Sequence, residues 1–134
     1  MSRKISRELA MKLFYQIEMT KDYTIERVED FIEENSHENF DKDYILNVGS
    51  KFIENKDEVD EFITKYSKGW KLDRIAKVDL SIIRLAIVEL IYREDIPFKV
   101  SINEAVELAK KYANEDSSSF INGVLGSVLN DTQK

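Results

Sequence analysis

The sequence predicts an all-α protein built as one compact domain of about six or seven helices. Three observations carry that expectation. One proline and four glycines punctuate 134 residues, apolar residues recur at helical spacing, and no stretch alternates with the period of a strand. The first helix is predicted over Arg3 to Met19, where Ile5, Leu9, Leu13 and Ile17 form an i, i+4 series beside Ala10 and Phe14. The second follows Thr24, an N-cap residue with Glu26 and Glu29 behind it, and carries Ile25, Val28, Phe31 and Ile32. Asn35 to Asn39 reads as a polar loop. A long helical stretch then starts near Asp41, with a break expected around Asn55-Lys56, and Ser67-Lys68-Gly69 ends it. Trp70 to Ile75 is a connecting turn into a helix from Val78 to Arg93 that is apolar on almost every side, which predicts a central element. Asp95-Ile96-Pro97 stops it. Ser101-Ile102-Asn103-Glu104 reads as a capping box opening a helix to Tyr112. Asp116 reads as the cap of a last helix whose core face is Ile121, Val124, Leu125, Val128 and Leu129.

Composition narrows the function classes. Hydrophobic residues make up 43% and charged residues 34%, a globular balance with enough apolar surface to fold. With no cysteine, disulfides, thiolate metal sites and a cysteine nucleophile are excluded, and the chain fits a reducing cytoplasm. The N-terminus has no apolar run behind its charges and does not read as a signal peptide. The most apolar run, Leu85 to Tyr92, is interrupted by Glu89 and falls short of the ~20 residues a bilayer span needs, so no membrane association is expected. Net charge is -6, but from Asp22 to Glu61 there are 14 acids against 4 bases, whereas Arg3, Lys4, Arg7 and Lys12 meet only Glu8 in the first twelve residues. An acidic middle and a basic start predict two faces with different partners.

No catalytic constellation assembles. His37, the single histidine, sits in the polar loop and reads as solvated. The glycines, at 49, 69, 123 and 126, form neither a dinucleotide fingerprint nor a phosphate-binding loop, and no metal or cofactor site is expected. Three features point to binding instead. In the first helix, Lys4, Met11 and Tyr15 fall opposite the Leu9/Leu13 stripe, flanked by Arg7 and Glu8. Cations gain nothing from a helix start, so Arg3, Lys4 and Arg7 suit a phosphate backbone and Tyr15 a stacked base; the alternative is that Met11 and Tyr15 pack under a second layer. Phe120 borders the apolar stripe of its helix beside Asp116 and three serines, where it serves either the core or an unstacked base. Gly123 there suits close helix packing. Asp79 is an acid on an apolar helix, so it is either exposed toward a partner or paired, while Glu89 is accounted for by an i, i+4 pair with Arg93.

Together these residues resemble the NusB family of bacterial transcription antitermination factors. The likeness is densest in Arg74-Ile75-Ala76-Lys77-Val78-Asp79, Ile83-Arg84-Leu85-Ala86 with Glu89-Leu90, Asp95-Ile96-Pro97, the run from Ile102 to Lys110, and Phe120-Ile121-Asn122-Gly123-Val124-Leu125. At the front, Arg7-Glu8-Leu9-Ala10 and Leu13-Phe14-Tyr15 are similar to the family's basic opening helix. The resemblance implies two small helical bundles packed together, about 1–66 and 70–134. It also implies binding of boxA RNA in ribosomal RNA operon leaders, with NusE, a small-subunit ribosomal protein, as partner. Other Nus factors and RNA polymerase complete the antitermination complex, and some relatives form a homodimer that hides the RNA face. Carried onto this chain, the RNA surface comprises Arg3, Lys4, Arg7, Tyr15, Phe120 and nearby Asp116, and Asp79 faces NusE. This chain has fewer N-terminal arginines than many relatives, which implies a larger share of RNA affinity supplied by NusE. Two alternatives stand beside this reading. One is an RNA-targeting domain like that of ribosomal RNA cytosine methyltransferases, which a chain ending at Lys134 leaves without a cofactor domain; the other is a protein-only adaptor.

Overall fold

The computed structural model describes residues 2–132. Within them the chain forms seven α-helices and a 3-10 turn, with no strand. Helix α1 (Arg3–Thr20) opens on Ser2, whose hydroxyl accepts the Ile5 N–H at 3.3 Å. It ends at Lys21 in the left-handed conformation (φ 58°). Helix α2 (Ile25–Glu34) starts on Thr24, which accepts from the Arg27 N–H at 3.2 Å, and α3 (Lys42–Glu54) on Asp41, which accepts from Tyr44 at 3.1 Å. These caps satisfy orphan N–H groups, which is why the helices begin at a threonine and an aspartate. Asn55 interrupts the run before α4 (Lys56–Tyr66). Lys68 and Gly69, both with positive φ, reverse the chain, and a 3-10 turn (Leu72–Arg74) leads to α5 (Lys77–Tyr92).

Helix α5 is central, as its uniform apolarity predicts: Asp79 through Leu90 are all buried. Helices α1, α2 and α3 pack on one another, α6 (Phe98–Tyr112) and α7 (Glu115–Thr132) form a pair, and α5 runs between the two sets. Helix α4 bridges them by touching both α5 and α7. Gly49 lets α2 approach α3, since a Cβ there would lie 2.8 Å from Val28 Cγ1.

Three expectations of detail are corrected. Helix α6 begins at Phe98, three residues before the expected capping box. Ser101 is buried inside it and donates its hydroxyl to Glu89 at 2.7 Å. Helix α7 is capped by Asn114, whose Oδ1 accepts the Ser117 N–H at 2.8 Å, and Asp116 lies in its exposed first turn. Glu89 does not pair with Arg93, which instead holds Asp95 at 2.9 Å and Asn47 at 3.2 Å. A further expectation fails at Gly123: nothing lies within 4 Å of where its Cβ would stand, so no helix packs there.

The charges on α5 are buried and paired across the molecule. Arg84 bonds Glu18 of α1 at 2.8 Å and Asp60 of α4 at 2.9 Å. Glu89 accepts from Arg7 at 2.8 and 3.2 Å, from Ser101, and from the Tyr44 hydroxyl. These donors satisfy both oxygens of a carboxylate that is closed to solvent.

Candidate nucleic-acid interface

Where α5 and α7 begin, a cavity of about 300 Å³ is lined by Trp70, Arg74, Ile75, Asp79, Asp116, Ser117 and Phe120. Phe120 is half-buried and meets the Trp70 ring edge to face, with centroids 6.0 Å apart. Trp70 remains 53% exposed, so the pair presents an aromatic wall to solvent. At the floor Asp79 is 8% exposed. Its Oδ2 accepts the Ser117 hydroxyl at 3.0 Å, while the buried Oδ1 has no hydrogen-bond partner. Burial pushes this carboxyl above its ordinary value, and the single bond from Ser117 only partly offsets that. A carboxylate with one open oxygen under an aromatic wall suits a cationic or N–H donor from a partner.

A second cavity, about 420 Å³, takes Val78 at the start of α5 into its wall, the neighbour in sequence of Asp79 in the first. Met11, Lys12, Tyr15, Gln16 and Tyr112 complete its wall. Tyr15 is 38% exposed and Met11 is buried, so of the two only Met11 packs inward. The Lys12 ammonium lies 5.8 Å from the centre of the Tyr112 ring, and Tyr112 and Lys111 both hold Glu8, the lysine at 2.7 Å. The hydrogen bond to Glu8, with burial, raises the Tyr112 hydroxyl above its ordinary value against the opposing charge of Lys111.

The basic first turn divides. Lys4 reaches solvent and touches Glu104 only loosely, at 3.4 Å. Arg3 is half-buried, lying over the Tyr44 ring at 4.5 Å and 3.4 Å from Asp41. Arg7 is 6% exposed, with its guanidinium committed to Glu89. The expectation that folding has no use for Arg7 is therefore corrected: a buried carboxylate requires it. Asp79, expected either exposed toward a partner or paired, lies at the bottom of a cavity with a single bond from Ser117.

The structure thus brings Asp79, Asp116 and Phe120 into one cavity and Tyr15 into the next, while Arg3 and Lys4 stand farther along α1. Sequence reasoning missed Trp70, Arg74 and the Lys12–Tyr112 pair. A signal existed for Trp70: it is the sole tryptophan and follows the Lys-Gly turn that ends the preceding helix.

The family model described as the NusB family matches residues 4–130. Transcription antitermination protein NusB of Acetivibrio thermocellus is 54% identical over 129 residues, covering 96% of this chain and 89% of that protein. The protein of the same name from Clostridium acetobutylicum is 45% identical over 134 residues, covering 100% and 99%. Among solved structures, Thermotoga maritima NusB superposes with a TM-score of 0.86 at 31% identity, covering 98% of this chain and 92% of that one. A chain from the complex of the antitermination factors NusB and NusE with double-stranded RNA gives 0.84 at 27% identity, with 96% of each chain covered. A full-length likeness at this identity, carried by the same all-helical architecture, places the chain in the NusB family.

Proposed function

We propose that this chain is a transcription antitermination factor that binds boxA RNA of ribosomal RNA operon leaders together with NusE. One observation carries the reading: a chain of the same fold, matched over 96% of this one, is seen with NusE and RNA. The geometry supports it, because the two cavities offer exposed aromatic faces beside cations, the pairing that holds single-stranded bases and phosphates.

In this reading Tyr15, Phe120 and Trp70 supply stacking surface. Lys4 and Lys12 approach phosphates, and Arg3 flanks them. Arg7 acts from beneath by anchoring Glu89, which keeps α1 in register with α5. The open oxygen of Asp79 receives a donor from NusE, and Asp116 sits at the cavity mouth. The role is non-enzymatic and cytoplasmic, exercised within an assembly of Nus factors and RNA polymerase.

Trp70 reports on the site directly, being the sole tryptophan. Its fluorescence is to be followed while boxA RNA and a scrambled RNA are titrated, each with and without NusE. Saturable quenching that favours boxA and tightens with NusE is expected. Phe120→Ala is expected to weaken binding by ~1–3 kcal/mol, as loss of a stacked base does. Equal affinity for both RNAs, with and without NusE, would overturn the proposal.

A further inference from the structure

Beyond Tyr15, the seam between α1 and α5 opens into another hollow of about 300 Å³, whose lining includes Glu18, Lys21, Tyr23, Lys56, Lys77 and Arg84. At its floor Arg84 is fully committed, with Nη1 on Glu18 at 2.8 Å and Nε and Nη2 on Asp60 at 2.9 Å each. One guanidinium therefore already bridges both buried carboxylates. Three further cations converge on them: Lys77 stands 3.0 Å from Glu18, Lys56 stands 3.1 Å from Asp60, and Lys21 also bonds Glu18. The Tyr23 hydroxyl adds a hydrogen bond to Glu18 at 2.6 Å. Burial alone would raise the Glu18 carboxyl, yet the bonds from Lys21, Tyr23, Arg84 and Lys77 hold it well below the ordinary range. Four cations thus face Glu18, Asp60 and the exposed Asp73, more positive charge than the fold's own carboxylates balance.

We propose that this hollow holds a phosphate group of the RNA strand as it leaves the Tyr15 cavity and passes the start of α5. The path is short. Glu18 lies one turn beyond Tyr15 on α1, and Lys77 of this hollow is bonded to Val78 of the Tyr15 cavity. A phosphodiester meets the lysine ammonium groups at the rim without displacing Arg84. The inference rests on the RNA-binding reading above and extends it to a surface that reading leaves unused. A free phosphate carries the same chemistry, so the test separates the two sources.

Two boxA RNAs are to be compared with NusE present, a minimal one and one extended at both ends, by measuring the salt dependence of affinity. Wild-type protein is expected to give a steeper slope on the extended RNA, by roughly 0.7 for each added phosphate contact. The double variant Lys21→Gln/Lys77→Gln keeps amide donors toward Glu18, and is expected to return the slope to that of the minimal RNA while leaving minimal-RNA affinity unchanged. Lys56→Gln, which leaves Asp60 both Arg84 bonds, is expected to act the same way and serves if melting shows the double variant unfolded. Wild-type slopes in the folded variants on extended RNA would overturn the proposal. In parallel, inorganic pyrophosphate is titrated while amide resonances of Lys21, Tyr23 and Lys77 are followed by NMR. Shifts that the variants abolish, with RNA slopes untouched, would make the ligand a free phosphate and overturn the RNA assignment. If no boxA RNA binds at all, the functional reading fails, and the pyrophosphate titration still decides whether the hollow takes phosphate.

Discussion

Lys4 and Arg7 stand one turn apart on α1 and carry the same charge, yet their surroundings assign them opposite work. Lys4 is solvated and its pair with Glu104 is long, so Lys4→Ala is expected to move stability by less than ~0.5 kcal/mol. The same variant is expected to flatten the salt dependence of RNA binding, measured by titration at several ionic strengths. Arg7→Ala strands Glu89, which keeps only Tyr44 and Ser101. Denaturant melting is expected to show a loss of ~3–5 kcal/mol, the cost of breaking a buried pair from one side. Asp79 obeys a different sign. Its carboxyl is raised by burial, so deprotonation in the folded chain is penalised, and its own contribution to stability falls as pH rises through its titration. A cationic group on NusE favours the carboxylate. NusE affinity is therefore expected to rise as the pH climbs through the titration of this carboxyl, above the ordinary aspartate range, with release of a proton, and to lose that dependence in Asp79→Asn. Calorimetry in buffers of different ionisation enthalpy checks both, and a pH-independent wild type would remove Asp79 from the NusE contact.

At the scale of elements, local chemistry was readable and distant chemistry was not. Thr24 and Asp41 announce helix starts because an oxygen-bearing side chain satisfies N–H groups two or three residues away, well within the reach of a sequence pattern. Ser101 has the same pattern, but its hydroxyl is claimed by Glu89 from another helix, and the α6 start moves back to Pro97. The site was legible in the same partial way. Phe120 and Tyr15 stand out as aromatics off their stripes, whereas the burial of Arg7 depends on a carboxylate 82 residues away. Two of the helical glycines, Gly49 and Gly123, separate on the same principle. Gly49 is required by Val28 on a neighbouring helix, so Gly49→Ala is expected to cost ~1–3 kcal/mol through overpacking. Gly123 faces open space, so Gly123→Ala is expected to stabilise the chain by about 1 kcal/mol, the helix-propensity difference. Urea midpoints of the two variants moving in the same direction would contradict this account of the α2–α3 approach.

Across the whole molecule, one continuous apolar core joins the two helical sets, and buried charges on the central helix cross it. Arg84 and Glu89 lie on the central helix and reach α1, α3, α4 and α6, so neither set satisfies its buried charges alone. We propose that the bundles at about 1–66 and 70–134 unfold as one unit: Trp70 fluorescence and far-ultraviolet dichroism are expected to give coincident transitions. Acid is expected to attack this arrangement through Glu18. Its carboxyl is held below the ordinary glutamate range in the folded chain by Lys21, Tyr23, Arg84 and Lys77 against the opposing effect of burial. A depressed folded value means that the unfolded chain takes up the proton first. The stability Glu18 contributes is therefore complete at neutral pH and is withdrawn as the pH falls through the ordinary carboxylate range and below it. Glu18→Gln keeps the shape but leaves Arg84 with Asp60 alone, and is expected to lower neutral-pH stability by on the order of 3 kcal/mol. It is also expected to flatten the acid limb of a plot of urea midpoint against pH, because the group that responds there is gone. If the variant kept the wild-type acid limb, the acid sensitivity would reside in other carboxylates, and the Glu18–Arg84 bond between α1 and α5 would not be the junction that acid attacks.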